Sequence, residues 1–325
     1  MMKTQSAKIK DGEGARIKAA DFGLLKTKWR QVVKDRQLYL IMIPFILYYV
    51  LFVYRPMGGL VIAFKDYSVY KGIAASPWVG LENFRTFFES PYFFRLLRNT
   101  VLISVYTLIF SFPASIVLAL LLNEVRSKLF RSVVQTFSYL PHFISVVVIA
   151  GMVTSFLAPG NGVINLVIEA FGGEKIYFLS KAEYFRRIYI IMNIWSGVGY
   201  GSIVYIAAIS GIDQQLYEAC TIDGGGKWSQ MWHVTLPGIM PTIVTLFIMQ
   251  IGNIMNVGYE TIILLYQPAT YETADVINTY VYRLGIEESN YSLSAAAGMF
   301  NSVVGFVLVM AANYVSNRVN DIGLW

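Results

Sequence analysis

The sequence predicts an all-α membrane protein with six transmembrane helices, on three observations. Of its 325 residues, 56% are hydrophobic and 14% charged, with mean hydropathy +0.53, whereas soluble domains average about a quarter charged. Apolar runs near the ~20 residues that a membrane helix needs recur six times along the chain. The basic residues are concentrated before the first of these runs, as a topology signal requires.

That basic segment is residues 1–37, read as an N-terminal arm on the cytoplasmic side. It holds ten Lys/Arg (Lys3, Lys8, Lys10, Arg16, Lys18, Lys26, Lys28, Arg30, Lys34, Arg36) against Asp11, Glu13, Asp21 and Asp35. A nucleic-acid partner is not expected: the charges directly precede an apolar span and follow positive-inside logic. A cleavable signal peptide is not expected either, since no small-residue cleavage site follows the apolar run. The first span is Leu38–Tyr54, interrupted by Pro44, and residues 38–99 form a unit of this helix plus an extracytoplasmic cap. The cap is rich in aromatic, Gly and Pro residues. Its Phe and Tyr residues around Phe84–Phe94 suit an amphipathic helix, either a packed cover or a substrate-docking surface.

Residues 100–325 carry the other five spans: Thr100–Leu122, Val133–Leu157 with Pro141 near its start, Ile188–Ile209, Ile239–Leu265 and Ser294–Val315. The turn "NEVRSKLFRS" at 123–132 is basic and falls inside, while the acidic stretch Gln267–Tyr291 falls outside. The region Arg55–Arg98, with more bases than acids, runs against the rule. Both termini are then cytoplasmic.

Between the fourth and fifth spans lies "YEACTIDGGGKWSQMWHVTLPGIMP", Tyr217–Pro241, polar and broken by glycines. Gln214–Ile222 reads as a short helix ended by Gly224, Gly225 and Gly226, which supply positive φ. A second amphipathic turn, Lys227–Val234, leads to Leu236 and Pro237, a proline placed for the first turn of a span. Such a bent ridge on the inner face is something a soluble partner can grip. The run "GGGKWS" is not a phosphate-binding loop, because Trp228 follows Lys227 and Thr221 stands where the first glycine belongs.

Glu218-Ala219-Cys220, Gly224 and Val234-Thr235-Leu236-Pro237 resemble the EAA loop of ABC importer permeases, with Cys220 and Val234 replacing an alanine and an isoleucine. Asp223 and Pro241 match the sugar branch, and "LLRNTVLIS", "IAFKDYSVYKG" and "SPWVGLENFRTFF" extend the likeness from about residue 38 to the C-terminus. The resemblance implies a type I importer permease fold in a bacterial cytoplasmic membrane, with the EAA loop at 210–237. It implies two ATPase subunits, which hydrolyse ATP with bound Mg, a second permease subunit, favoured as a different chain, and an extracytoplasmic solute-binding protein. No cofactor or metal is expected on this chain. Tyr217, Glu218, Ala219, Cys220, Asp223, Gly224, Leu236 and Pro237 would couple to the ATPase.

Polar side chains within spans face a pathway or another helix, because lipid exposure is costly. Gln250, Asn253 and Asn256 share one side of the expected fifth helix, with Asn193, Trp195 and Tyr200 on the fourth and Asn301 on the sixth. Amides pair with hydroxyls and aromatic faces cover sugar rings, which suits an oligosaccharide; interhelical hydrogen bonding is the competing role. Asn313 favours that role. Gly197-x-x-x-Gly201 allows close helix approach, and His142 reads as a packed histidine. The basic outer surface (Arg55, Lys65, Lys71, Arg85, Arg95, Arg98, Lys175, Lys181, Arg186, Arg187) would favour an acidic polysaccharide such as alginate, or lipid, or an acidic binding protein. The alternatives from other classes are a membrane-embedded enzyme, for which no catalytic cluster is visible, and a secondary transporter, for which the spans carry almost no ionisable residues.

Overall fold

In the computed structural model, residues 34–320 are described, the side chains of 319 and 320 excepted. The basic arm therefore lies outside the described residues except at its end, and so does the close of the C-terminal "SNRVNDIGLW". Two units divide at residues 61 and 62. The first unit's described part is the body of one long helix, α1, Arg36–Phe64, whose last residues run into the second unit.

The second unit is built of helices. They are α2 (Glu82–Glu89), α3 (Phe93–Glu124), α4 (Lys128–Phe143), α5 (Val146–Phe156), α6 (Val163–Ala170), α7 (Ala182–Ser210), α8 (Gln214–Ile222), α9 (Lys227–Gly252), α10 (Tyr259–Leu265), α11 (Ile277–Tyr282) and α12 (Tyr291–Arg318). Among the described residues five helices (α1, α3, α7, α9 and α12) are long and apolar enough to cross a membrane, and α4 with α5, bent by 102°, makes a sixth if the pair is one span.

Two expected spans differ from straight helices. The third is broken after Phe143, just past a 3-10 turn that holds Pro141; Ser145 then caps α5, its Oγ accepting from the Val148 N–H. The fifth stops at Gly252 instead of reaching Leu265, leaves residues 253–258 non-helical, and resumes as α10. The expected unit boundary at 99/100 falls inside continuous α3.

Three of the spans widen to π-helix at Tyr49–Tyr54, Thr107–Ser111 and Met231–Thr235. Each widening ends two residues before a proline: Pro56, Pro113 and Pro237. A proline has no N–H to donate and its ring meets the carbonyl one turn back. A wider turn makes room for the ring and keeps the helix continuous.

Burial falls in three clusters along the bundle. At the end that carries the α8 turn, Ala119 of α3, Tyr205 and Ile209 of α7 and Ile239 of α9 pack together. In the middle, Ile103, Ile149, Phe185, Tyr189 and Ile262 join α3, α5, α7 and α10. At the opposite end, Phe87, Leu96, Ile277, Tyr280 and Leu284 join α2 to α3 and α11. Phe87 is fully buried, its ring 5.2 Å from Phe93 and 5.7 Å from Phe300. The aromatic face of the cap is thus turned inward, although Tyr70, Trp78 and Phe94 remain exposed. Lys65 is buried in the cap and donates to the carbonyls of Ile73 (2.7 Å) and Ser76 (3.2 Å).

Helix α7 approaches its neighbours most closely at Gly199 and Gly201, not at Gly197. A Cβ on Gly199 would overlap the Ser138 carbonyl of α4, and one on Gly201 would lie 2.5 Å from Ser115 Oγ of α3. Nothing lies within 4 Å of a Cβ on Gly197.

Candidate functional site

The polar turn between α7 and α9 has the expected first helix, at Gln214–Ile222. Asp213 caps it, Oδ1 accepting from the Gln215 N–H at 2.9 Å. It ends because Gly224 takes φ +82° while the Gly225 N–H donates to the Cys220 carbonyl at 2.8 Å. A Cβ on Gly225 would overlap Cys220, so the return is tight. The expected second short helix is instead the first turns of α9 itself.

The turn is tied to the bundle by hydrogen bonds. Tyr217 and Thr235 meet through their hydroxyls at 3.0 Å, and Gln230 Nε2 donates to Thr221 Oγ1 at 2.9 Å. Lys227 Nζ lies 3.0 Å from Glu124 Oε2 at the end of α3. Ile212 packs where a side chain on Gly238 would go. Tyr217, Cys220 and Leu236 are half-buried, while Glu218, Ala219, Asp223, Gly224 and Pro237 are exposed, with Ile222 (85%) and Trp228 (73%) beside them. Glu218 also borders a polar cavity of about 450 Å³ shared with Gln214, Thr221, Lys227 and Glu124. A rigidly held bend therefore presents a carboxylate and apolar side chains outward.

The second site is a cavity of about 180 Å³ at the break in the fifth span. Asn193 of α7, Gln250 and Asn253 at the end of α9, and Asn256 in the non-helical segment all line it. They meet because the helix stops, not because they share a helical stripe. Asn193 Nδ2 donates to the Tyr189 carbonyl (2.8 Å) and Asn253 Nδ2 to the Met249 carbonyl (3.3 Å). Asn301 stands one layer behind, buried, its Nδ2 donating to the Met255 carbonyl (3.1 Å) and to Asn278 Oδ1 (3.0 Å). It holds the broken backbone in place, as does Ser104, whose hydroxyl donates to the Ile254 carbonyl. Irregular backbone at membrane depth is tolerated where it is buried in protein or lines a cavity.

Trp195 and Tyr200 are not part of this cavity. Trp195 lines an apolar groove between α5 and α7. Tyr200 stacks on His142 with ring centroids 3.8 Å apart and planes 6° from parallel. Ser104, Thr107 and Tyr189 do line the amide cavity and were not singled out from sequence; the only signal was Ser104-x-x-Thr107, one helical turn of hydroxyls in an apolar run.

At the membrane end away from α8, a charge network joins α3, α7 and the segment before α12. Asp275 is fully buried and accepts from Arg95 Nη2 (3.1 Å) and Arg283 Nη2 (2.9 Å), and also from Thr279 Oγ1 (2.8 Å). Burial alone would lower the Arg283 pKa, but the hydrogen bonds and charge of Asp275 carry it above its ordinary value. Arg98 Nη2 reaches Glu272 Oε1 at 2.6 Å, and that hydrogen bond holds the Glu272 carboxyl below its usual range. Arg186 donates to Asn99 Oδ1 at 2.7 Å.

Several spans, an amide-lined break among them and a capped polar turn at one end are the features of a multi-pass membrane subunit. The chain belongs to the family described as binding-protein-dependent transport system inner membrane component, which matches residues 111–321. It is 45% identical over 298 residues to Protein LplB of Bacillus subtilis (strain 168), covering 91% of this chain and 94% of that one. It is 43% identical over 316 residues to the polygalacturonan/rhamnogalacturonan transport system permease protein YteP of the same organism, covering 96% and 98%. Among solved structures it is similar to a chain of a bacterial ABC transporter involved in the import of the acidic polysaccharide alginate, with TM-score 0.84 and 47% identity, covering 90% of this chain and 99% of that one. A chain of a bacterial alginate ABC transporter in complex with an alginate pentasaccharide-bound periplasmic protein matches with TM-score 0.85 and 46% identity. The fold is that of an ABC importer permease, and the chain is a transport subunit rather than an enzyme.

Proposed function

We propose that this permease forms half of the translocation pathway for an oligosaccharide handed over by a solute-binding protein, and that residues 210–237 transmit the motion of separate ATPase subunits, which bind the ATP and Mg. Both termini and the α8 turn would then face the cytoplasm, and the second half of the pathway would come from a different permease chain. The observation that carries this reading is the α8 turn. Its outward surface of Glu218, Ala219, Asp223 and Gly224 is exposed, while Tyr217 and Thr221 anchor it to the base of α9. A push on such a turn passes into a membrane helix instead of being absorbed by a loose loop.

The amide cavity is the part of the pathway this chain would contribute. The side-chain amide of Gln250 has no hydrogen-bond partner among the described residues, so it is available to hydroxyls. An acidic polysaccharide is supported by the substrates named for YteP and for the alginate transporters. The basic outer residues support it less, because Lys65, Arg85, Arg95, Arg98, Lys175 and Arg186 all have partners within the chain.

The test uses the purified complex in liposomes, with binding protein and ATP. Glu218→Lys is expected to lower uptake at least tenfold with the complex still assembled, and Gly224→Trp, which must also adopt φ +82°, at least as much. Normal uptake by both variants would sink the coupling role. Gln250→Leu is expected to lower uptake several-fold and leave basal ATP hydrolysis in place; unchanged uptake across galacturonan and alginate oligomers would remove the cavity from the pathway.

A further inference from the structure

The apolar groove between α5 and α7 has a volume of about 500 Å³, within the range of small-molecule sites. Phe156 and Leu157 at the end of α5, Ile188, Ile191 and Trp195 along α7, and Ile164 from α6 give it an apolar wall. The wall includes a single ionised group, Arg187. This arginine is exposed and has neither ion pair nor hydrogen bond to any described residue. Its neighbour differs, since Arg186 is held by Asn99 and by the Thr273 carbonyl.

The groove is graded with depth. Arg187 lies five residues into α7, about 8 Å from its start, and Trp195 lies about 12 Å deeper at 1.5 Å per residue. On α5 the order is reversed, with Leu157 and Phe156 near the boundary and Met152 deeper. A cation thus sits at the membrane boundary with only apolar side chains below it. A saccharide would find almost no hydrogen-bonding group there. A phospholipid with an anionic headgroup matches both ends: phosphate at the guanidinium and acyl chain in the groove.

We infer that the α5–α7 groove is a binding site for one anionic phospholipid, with Arg187 holding its phosphate. The site lies on the side away from the α8 turn and is separate from the amide cavity, with which it shares no lining residue.

The full transporter complex, purified in mild detergent and exchanged with phosphatidylglycerol or phosphatidylcholine, tests this by native mass spectrometry. Wild type is expected to keep one phosphatidylglycerol against collisional activation that strips phosphatidylcholine. Arg187→Ala should reduce that retained species at least tenfold, and Arg187→Lys should restore most of it. Ile191→Trp, which fills the groove and keeps the cation, should also lose it. Thermal unfolding and size-exclusion profiles report that each variant is folded and assembled. Equal retention of the two lipids, or unchanged phosphatidylglycerol in both Arg187→Ala and Ile191→Trp, would overturn the site. So would high-yield cross-linking of Met152→Cys to the second permease subunit, since a protein surface would then cover the groove.

Discussion

Asp275→Ala is expected to destabilise this permease by about 3–5 kcal/mol, the cost of removing one partner from a buried charge cluster. Asp275 is fully buried and pairs with both Arg95 and Arg283. Without it two largely buried guanidinium groups face each other with no anion between them. Asp275→Asn keeps the shape and one acceptor oxygen, and should recover part of the loss without neutralising either arginine. The network joins α3 to the segment preceding α12, and Asn99 adds bonds to the Glu272 and Asp275 carbonyls at 3.1 and 2.9 Å. The damage should therefore appear as early loss of the α11 region, read by hydrogen exchange in detergent, and as a lower unfolding temperature. The neighbouring Arg98–Glu272 pair gives the contrast. Both side chains are at least half exposed, at 50% and 63%, and Glu272→Gln should cost only about 0–1 kcal/mol. The Glu272 pKa is lowered in the folded state, so its contribution is present above the ordinary carboxylate pKa and fades as pH falls through the lowered value.

The spans and the polar turn were legible in the sequence because their causes are local. Hydropathy places α3, α7 and α12 without help from tertiary structure, and the three glycines after Gln214–Ile222 end α8 as the spacing predicts. The break in the fifth span was not legible. Residues 253–258 read as apolar with two amides and a glycine, compatible with a continuing helix. What stabilises the open backbone is Asn301 and Ser104, each far away in sequence. Hence Gln250, Asn253 and Asn256 meet Asn193 through a break that a helical stripe does not predict, while Trp195 and Tyr200, on the same helix as Asn193, lie outside that cavity. The hidden Ser104–Thr107 turn failed for the converse reason: hydroxyls in apolar helices commonly bond back to their own backbone, as Thr107 does to the Ile103 carbonyl at 2.9 Å.

The same limit on local reading governs the small residues of α7, and it yields a prediction that sequence alone assigns to the wrong glycine. Gly197 and Gly201 form the familiar small-xxx-small spacing, yet Gly199 faces the backbone of α4. Gly199→Val must push the Ser138–Tyr139 segment away, and backbone cannot turn aside as a flexible side chain can. Overpacking of this kind costs about 1–3 kcal/mol, occasionally more. Its position makes the functional effect larger than that figure suggests. Ser138 belongs to the last turns of α4, just before the 102° bend into α5, and His142 on the same segment stacks on Tyr200 of α7. Displacing α4 there separates that stack and shifts the bent span as a whole. Gly199→Val is expected to abolish uptake in liposomes and lower the unfolding temperature by several degrees, whereas Gly197→Val, with open space beyond its Cβ, should leave both close to wild type. Gly201→Val should fall between them, because the atom it meets is the rotatable hydroxyl of Ser115. If Gly197→Val proved the more damaging of the two end cases, the packing of α4 on α7 described above would be wrong, and the bent span would have to approach α7 along a different face.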